Sequence, residues 1–389
     1  MIDQEQVRRA LQGIESRDGD LARELGALRS AVVAIAGAET LAAALDGKED
    51  AAGLGRAAYE YGRVARPIVP RPVTVVENGR PRGFKNEPEG KTWQERLDQA
   101  GGALPRAIDA VGRIEVKGNG DLTVAGTGFL IRSDVIATNR HVAEQFAEAG
   151  EGGFVFKLNL GDEEMEASID FLEEVGRGDS LEFRIVRVLP MEPDVGTDVA
   201  FLEVAPTGSG GKTLPRPLEF STDYVEPGDF VAAIGYPQRD TRVKHAAELE
   251  AIFSDVFDKK RVSPGEIRRI EPGAVFHDCS VLRGSSGSPL IHLKTGKVVG
   301  IHSVGEFLEV NVAVSARAAE AVLASVEAKR AAESRLHSGV DATAAEPPVE
   351  PPAASARPAA FSGELMVPSM HWGRTRPRTG PHAGGGPSQ

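Results

Sequence analysis

A serine, a histidine and an aspartate form a chemical unit only when each stands in a setting that activates it. A serine hydroxyl is a poor nucleophile until a base takes its proton, and an imidazole serves best as that base when a carboxylate fixes its tautomer. In the segment DCSVLRGSSGSPLI, Ser286 stands in a tight Gly-Ser-Ser-Gly turn, where small residues let backbone N–H groups converge on one point. His141 follows the strand-like run DVIATN in GTGFLIRSDVIATNRHVAEQF, and Asp198 opens the apolar run of GTDVAFLEV. Singly, each has an ordinary alternative: a flexible Gly/Ser loop, a core or surface histidine, a turn cap. Only the three together, in the order His, Asp, Ser, point to nucleophilic chemistry.

These side chains need elements to position them. After Pro105 the chain turns to short runs rich in Val, Ile and Phe (GRIEV, GTGFLI, DVIATN, DVAFLEV, DFVAAIGY, KVVGIHSV) separated by Gly, Asp and Pro turns, the pattern of an all-β barrel or sandwich. Upstream, Leu25, Leu28, Val32 and Ile35 recur at helical spacing, as do Val7, Leu11 and Ile14. Residues 1–65 therefore read as helical, either packed on their own protein or offered to a partner. Between Arg66 and Gly102 prolines are expected to break any helix, while Asn78-Gly79 signals a hairpin, so residues 66–104 read as a Pro-rich connector. The stretch from Ser315 to about Leu336 is expected to form one helix with Ser315 as N-cap, closing a β domain over residues 105–336. Residues 337–389 are Pro/Gly-rich and low in apolar content, and are expected to be a disordered tail.

Composition narrows the function classes. The net charge of the 389 residues is −12 and the basic residues are dispersed, so nucleic acid is not an expected partner. Cys279 is the single cysteine, which excludes an intrachain disulfide and favours the cytoplasm, or secretion without bridges. The polar, acidic start lacks a signal-peptide pattern and the apolar run SAVVAIAGA is too short to span a bilayer, so a cytoplasmic protein without membrane contact is expected. No Cys or His pairs have metal-ligand spacing and DEEMEAS lacks a calcium-loop pattern, so neither metal nor cofactor is expected. TGSGGKT imitates a phosphate loop, but Pro206 stands where the first Gly should be and Pro215 and Pro217 follow where a helix must begin. It reads as a surface loop. Nor is GSSGSP a Gly-x-Ser-x-Gly elbow, since Ser288 replaces the last Gly.

The order and local sequence of the three residues resemble those of chymotrypsin-like (trypsin-like) serine proteases. TNRHV is similar to their His motif, TDVAFLEV to their Asp-containing strand, and GSSGSP to their nucleophile turn. The resemblance spans roughly Pro105 to Ala332 and implies a mainly β, chymotrypsin-like double antiparallel β-barrel, here with a helical N-terminal extension and the disordered tail. It implies a serine endopeptidase acting on protein or peptide substrates, with Ser286 as nucleophile, His141 as base then acid, and Asp198 orienting His141. Gly284 and Ser286 would supply the oxyanion-binding N–H groups. A protease fold kept only for binding, or a protease controlled by a partner on the N-terminal helices, are the competing functions.

Two departures from the family carry consequences. Ser285 stands where the digestive enzymes carry an Asp that pairs with a freshly cut N-terminus, so that activation switch should be absent. GSSGSP and GIHSVG are closer in flavour to bacterial glutamyl endopeptidases. By this resemblance Ser280, Val281 and Cys279 form one wall of the specificity pocket, and His302, Ser303, Val304 and Gly305 the other. Ser280 occupies the place of the trypsin-like acidic residue, which disfavours cleavage after Lys or Arg. Val281 replaces the hydroxyl that helps His302 hold a glutamate, and Val312 replaces a roomy Gly. A weakened Glu preference and a shallow pocket for small apolar residues both remain, with a lean to the second.

Overall fold

A computed structural model describes residues 70–84, 89–118, 124–151, 153–159, 161–191, 197–239, 246–305 and 311–342. The helical region expected at 1–65 and nearly all of the tail expected at 337–389 lie outside the described residues. The chain divides into compact units of residues 1–336 and 337–389, and everything below concerns the first except the last turns of its final helix.

The chain enters the described structure through a hairpin, β1 (Thr74–Glu77) and β2 (Arg80–Pro81). Asn78 and Gly79 both take positive φ (54° and 71°), the left-handed pair that a two-residue hairpin turn requires. Helices α1 (Gly90–Gln99) and α2 (Ala103–Asp109) follow. The first barrel opens with β3 (Val111–Lys117), β4 (Val124–Arg132) and β5 (Val135–Thr138). After a helical turn α3 (Arg140–Ala143) and a hairpin β6 (Ala147–Gly150) and β7 (Gly153–Phe156), it closes with β8 (Glu166–Asp170), β9 (Glu182–Val188) and β10 (Ala200–Val204). The second barrel comprises β11 (Phe230–Gly235), then, past α4 (Ala246–Phe253), β12 (Arg261–Glu271), β13 (Ala274–His277), β14 (Pro289–His292), β15 (Val298–Val304) and β16 (Asn311–Ser315). Its strands pair in the order β11-β14-β15-β16-β13-β12, and β12 returns to β11. All pairings within both barrels are antiparallel.

The barrels close because their strands bury alternate faces inward. In β9, Phe183, Ile185 and Val188 are buried among more exposed Glu182, Arg184 and Arg187. β4 instead is buried at every position but its last, since one face lines its barrel and the other meets the second barrel. One apolar cluster fills the first barrel around Leu130, Ile136, Phe146 and Phe183, and another fills the second around Val231, Leu290 and Val299. A third joins them, with Phe129, Ile234, Tyr236 and Ile291 packed against Leu97, Ile108 and Leu323 of the helices.

Of the connector expected at 66–104, the helices α1 and α2 pack on this core. The prolines of this segment all precede α1 in sequence, and Trp93 and Leu97 at i and i+4 place one buried stripe on it. Trp93 is fully buried, its ring edge-on to Phe230 of β11 at 5.9 Å. The expected domain boundary at residue 105 falls inside α2. The final helix α5 (Ala316–Ala342) starts where Ser315 Oγ accepts the Ala318 N–H (3.2 Å), as its N-cap role requires, and runs six residues past the expected end. TGSGGKT forms a short loop closed by a Thr207–Thr213 bridge, as expected of a surface turn.

Because Trp93 is fully buried against Phe230, which itself packs on the shared core, Trp93→Ala should lower unfolding free energy by about 3–5 kcal/mol. Chemical denaturation measures this, and a shift under about 0.5 kcal/mol, the range of surface positions, would return α1 to the status of a connector.

Candidate active site

The first barrel brings His141 and Asp198 together. Asn139 is extended (φ −85°, ψ 153°) at the end of β5, and the chain then turns into α3, which turns the His141 ring inward. Asp198 immediately precedes the run into β10, and β10 pairs with β5 at Ala200↔Thr138, so the two side chains emerge side by side. Asn139 Nδ2 donates to the Asp198 carbonyl (2.9 Å) and locks this junction. His141 Nδ1 lies 2.9 Å from Asp198 Oδ2 and 3.2 Å from Oδ1, and the His141 backbone N–H donates to Oδ1 (3.2 Å). Ser303 Oγ, from β15 of the second barrel, donates to Oδ2 (2.5 Å). Asp198 is 3% exposed. Burial by itself would raise its pKa, but the charge of protonated His141 and these hydrogen bonds overcome that and hold it at about 2.

Ser286 comes from the loop between β13 and β14. Gly284 and Gly287 have φ of +85° and +88°, and a Cβ on either would fall 2.4 Å from the Tyr236 carbonyl or 2.0 Å from the Thr127 carbonyl. Only glycine permits this turn. The Ser286 hydroxyl donates to the Ser303 carbonyl (3.3 Å), and among the described residues no hydrogen bond joins it to His141. The N–H groups of Gly284 and Ser286 have no acceptor among the described residues, although their peptide planes are fixed from behind. The Arg283 carbonyl accepts Gln238 N–H (2.7 Å) and the Ser285 carbonyl accepts Ser288 N–H (3.0 Å). In a trans peptide the N–H points opposite its carbonyl, so these two bonds aim the donors away from Gln238 and Ser288.

Thr127, which the sequence reading passed over, ties this turn to the first barrel. Its N–H donates to the Ser286 carbonyl (2.9 Å), its Oγ1 donates to the Gly284 carbonyl (2.8 Å) and accepts Tyr236 N–H (3.1 Å), and its own carbonyl accepts Thr138 Oγ1 (2.7 Å). The available signal was a polar residue between two glycines inside an otherwise apolar strand, GTGFLI. Ser303 was assigned to the pocket wall, and its hydroxyl bond to Asp198 also went unread.

The residues assigned to the pocket divide. Val281 and Val312 are buried apolar groups, at 5% and 2% exposure. Ser280 turns elsewhere: its Oγ accepts the backbone N–H of Arg71 (3.0 Å), so its hydroxyl is committed to the segment before β1. Gly305 packs so closely on Asn311 that a Cβ would collide with its side chain. Val304 is half-buried and pairs with Val312. His302 Nδ1 lies 3.2 Å from His277 Nε2, the rings edge-to-face and both buried. Burial lowers the His277 pKa to about 3, and burial together with the nearby His277 and His141 holds His302 well below the ordinary imidazole value. Cys279 is buried, and burial raises its thiol pKa far from reactive range. Asp194, the other carboxylate near the Asp motif, lies outside the described residues.

Two closed antiparallel barrels with these groups where they meet define a hydrolase scaffold of the chymotrypsin type. Residues 126–301 match the family described as trypsin-like peptidase domain. Over those residues the chain carries a trypsin-like peptidase domain on the chymotrypsin-type double barrel, and the match supports a serine endopeptidase. No curated protein matches it by sequence. Among solved structures it is similar to Rv3671c from M. tuberculosis H37Rv in an inactive form, at 19% identity and TM-score 0.38 over 63% of this chain and 96% of that one. A second Rv3671c protease structure, also inactive, gives 21% identity and TM-score 0.36 over 58% and 92%.

The histidine pair makes stability depend on pH. Both folded-state values lie below the unfolded value near 6.5, so the native state gains stability above that pH and loses it as pH falls toward 3, while the unfolded chain takes up protons. His277, held at about 3, contributes up to about 1.4 kcal/mol per pH unit within that window, and His302 acts in the same direction. Melting temperature should therefore fall between pH 7 and 5, and His277→Asn should flatten the slope. An equal slope in that variant would show that the imidazole is not held neutral.

Proposed function

We propose that this peptidase works through Ser286, His141 and Asp198, and the observation that carries the proposal is the buried Asp198 carboxylate bonded at once to His141 Nδ1 and Ser303 Oγ. With its Nδ1 proton held by Asp198, His141 presents a lone pair at Nε2. A rotation about χ1 moves the Ser286 hydroxyl from the Ser303 carbonyl to that nitrogen. Ser286 Oγ then attacks the substrate carbonyl carbon as His141 Nε2 takes its proton. The carbonyl oxygen becomes an oxyanion between the N–H groups of Gly284 and Ser286, each such donor contributing about 3 kcal/mol. Collapse expels the amine with the proton from His141, and water, activated by the same imidazole, releases the acyl group.

The pocket walls support small apolar residues over glutamate. Val281 and Val312 offer no hydroxyl, and the tie between His302 and His277 in a buried setting disfavours the imidazolium that would best balance a carboxylate. Residues 1–65 enter this proposal as the place where a partner acts, since the chain runs from them directly to Arg71 and the pocket wall. The Ser286–Ser303 bond favours one other function, a binding module with an idle serine, and the same test separates the two.

A fluorophosphonate probe should label the uncut protein at Ser286 and leave Ser286→Ala unlabelled. Asp198→Asn should retain the fold while peptidase turnover falls about 10⁴-fold, because the amide holds the wrong tautomer. Absence of labelling in the folded wild type would favour the binding module. A peptide-library profile should be dominated by cleavage after small apolar residues, and dominance of Glu at that position would contradict the pocket assignment.

A further inference from the structure

We propose that Arg71 is a positioning residue for the substrate pocket, a built-in strap that orders the Asp278–Val281 wall without any cleavage. The proposal rests on the active site described above. Arg71 stands just before β1, and its bonds cross 207 and 209 positions of sequence to reach the wall. Nε and Nη2 of its guanidinium hold Asp278 Oδ2 at 3.0 and 2.7 Å, and its backbone N–H holds Ser280 Oγ at 3.0 Å. The Asp278 side chain is only 2% exposed, and its other oxygen accepts Glu266 N–H (2.7 Å).

Arg71 is itself held. Nη1 donates to Glu89 Oε2 (3.1 Å), the guanidinium lies 5.1 Å from the Trp93 ring centroid, and the strand that follows pairs Thr74 with Val262 of β12. Glu89 Oε2 also accepts Trp93 Nε1–H (3.0 Å), so α1 braces the strap. Between the two strapped residues, the Cys279 carbonyl accepts Asn311 Nδ2 (2.8 Å) from β16. The wall is thus tied at Asp278, Cys279 and Ser280, and Arg71 reaches two of these three residues from outside the barrel, Glu266 also holding Asp278.

Removing the guanidinium leaves Asp278 a buried carboxylate facing Arg268 at 3.6 Å as its remaining side-chain cation. A buried charge stripped of its partner moves toward water, and the wall must move with it. Ser286 is held by other means, through Thr127 and the Gln238–Arg283 bond. Loss of Arg71 should therefore impair substrate binding while the nucleophile stays competent.

The test compares wild type, Arg71→Met and the double variant Arg71→Met/Asp278→Asn, using a fluorophosphonate probe and the best fluorogenic tetrapeptide amide from a library profile. Arg71→Met should raise KM about tenfold or more, with kcat and the rate of probe labelling within about threefold of wild type. The double variant, whose neutral amide needs no cation, should recover most of the lost KM. Unchanged KM in Arg71→Met, or no recovery in the double variant, would overturn the proposal. So would loss of labelling in both variants, since Arg71 would then support the whole domain rather than the wall. Failure of wild type itself to label at Ser286 would instead remove the active site on which the proposal rests.

Discussion

A carboxylate buried to 3% exposure is the constraint around which this site is arranged. Taking Asp198 out of water costs several kcal/mol unless donors replace the lost hydration. The replacements come from both barrels: the ring and backbone of His141 from the first, the hydroxyl of Ser303 from the second. The two barrels cannot slide or rotate against each other without stripping a donor from that charge. One electrostatic requirement therefore sets both the direction of the His141 ring and the register in which β15 meets β10.

The nucleophile turn obeys a similar rule in neutral groups. Its carbonyls are all engaged, at Arg283 by Gln238, at Gly284 and Ser286 by Thr127, and at Ser285 by Ser288, and the N–H groups of Gly284 and Ser286 have no acceptor among the described residues, as the proposed oxyanion role requires. Digestive members of the family tie such a turn down with an ion pair to a newly made terminus. Here Ser285 cannot make that pair, and β4 together with the Tyr236–Gln238 segment holds the turn in the intact chain. The Arg71 strap extends the same economy to the pocket wall. Packing, hydrogen bonds and the Arg71–Asp278 ion pair achieve this without a disulfide, since one cysteine permits no intrachain bridge.

What could be read from residues alone followed from how local each signal was. A β-rich domain showed itself in short Val- and Ile-rich runs between Gly, Asp and Pro turns, the double barrel only through the resemblance carried by the His, Asp and Ser motifs, and the Asn78-Gly79 turn in a dipeptide whose backbone requirement is intrinsic. His141, Asp198 and Ser286 carry short motifs, and the geometry brings the first two within hydrogen-bond distance. α1 was missed because prolines were counted across a window, although all five of them precede the helix in sequence. Thr127 offered only a polar residue between two glycines, and the roles of Thr127, the Ser303 hydroxyl and Arg71 were hidden for another reason. Their partners lie 157, 105 and 207 positions away, and no local pattern encodes a contact that only the closed barrels create.

The account depends on Asp198 holding a proton on Nδ1 of His141 so that Nε2 is free to accept one from Ser286. Nitrogen-15 NMR of the histidine-labelled, uncut protein at neutral pH reads this directly. The expected result is a His141 ring protonated at Nδ1 and bare at Nε2, with the Nδ1 proton shifted strongly downfield and lost in Asp198→Asn. A ring protonated at Nε2, or a spectrum unchanged by that substitution, would contradict it.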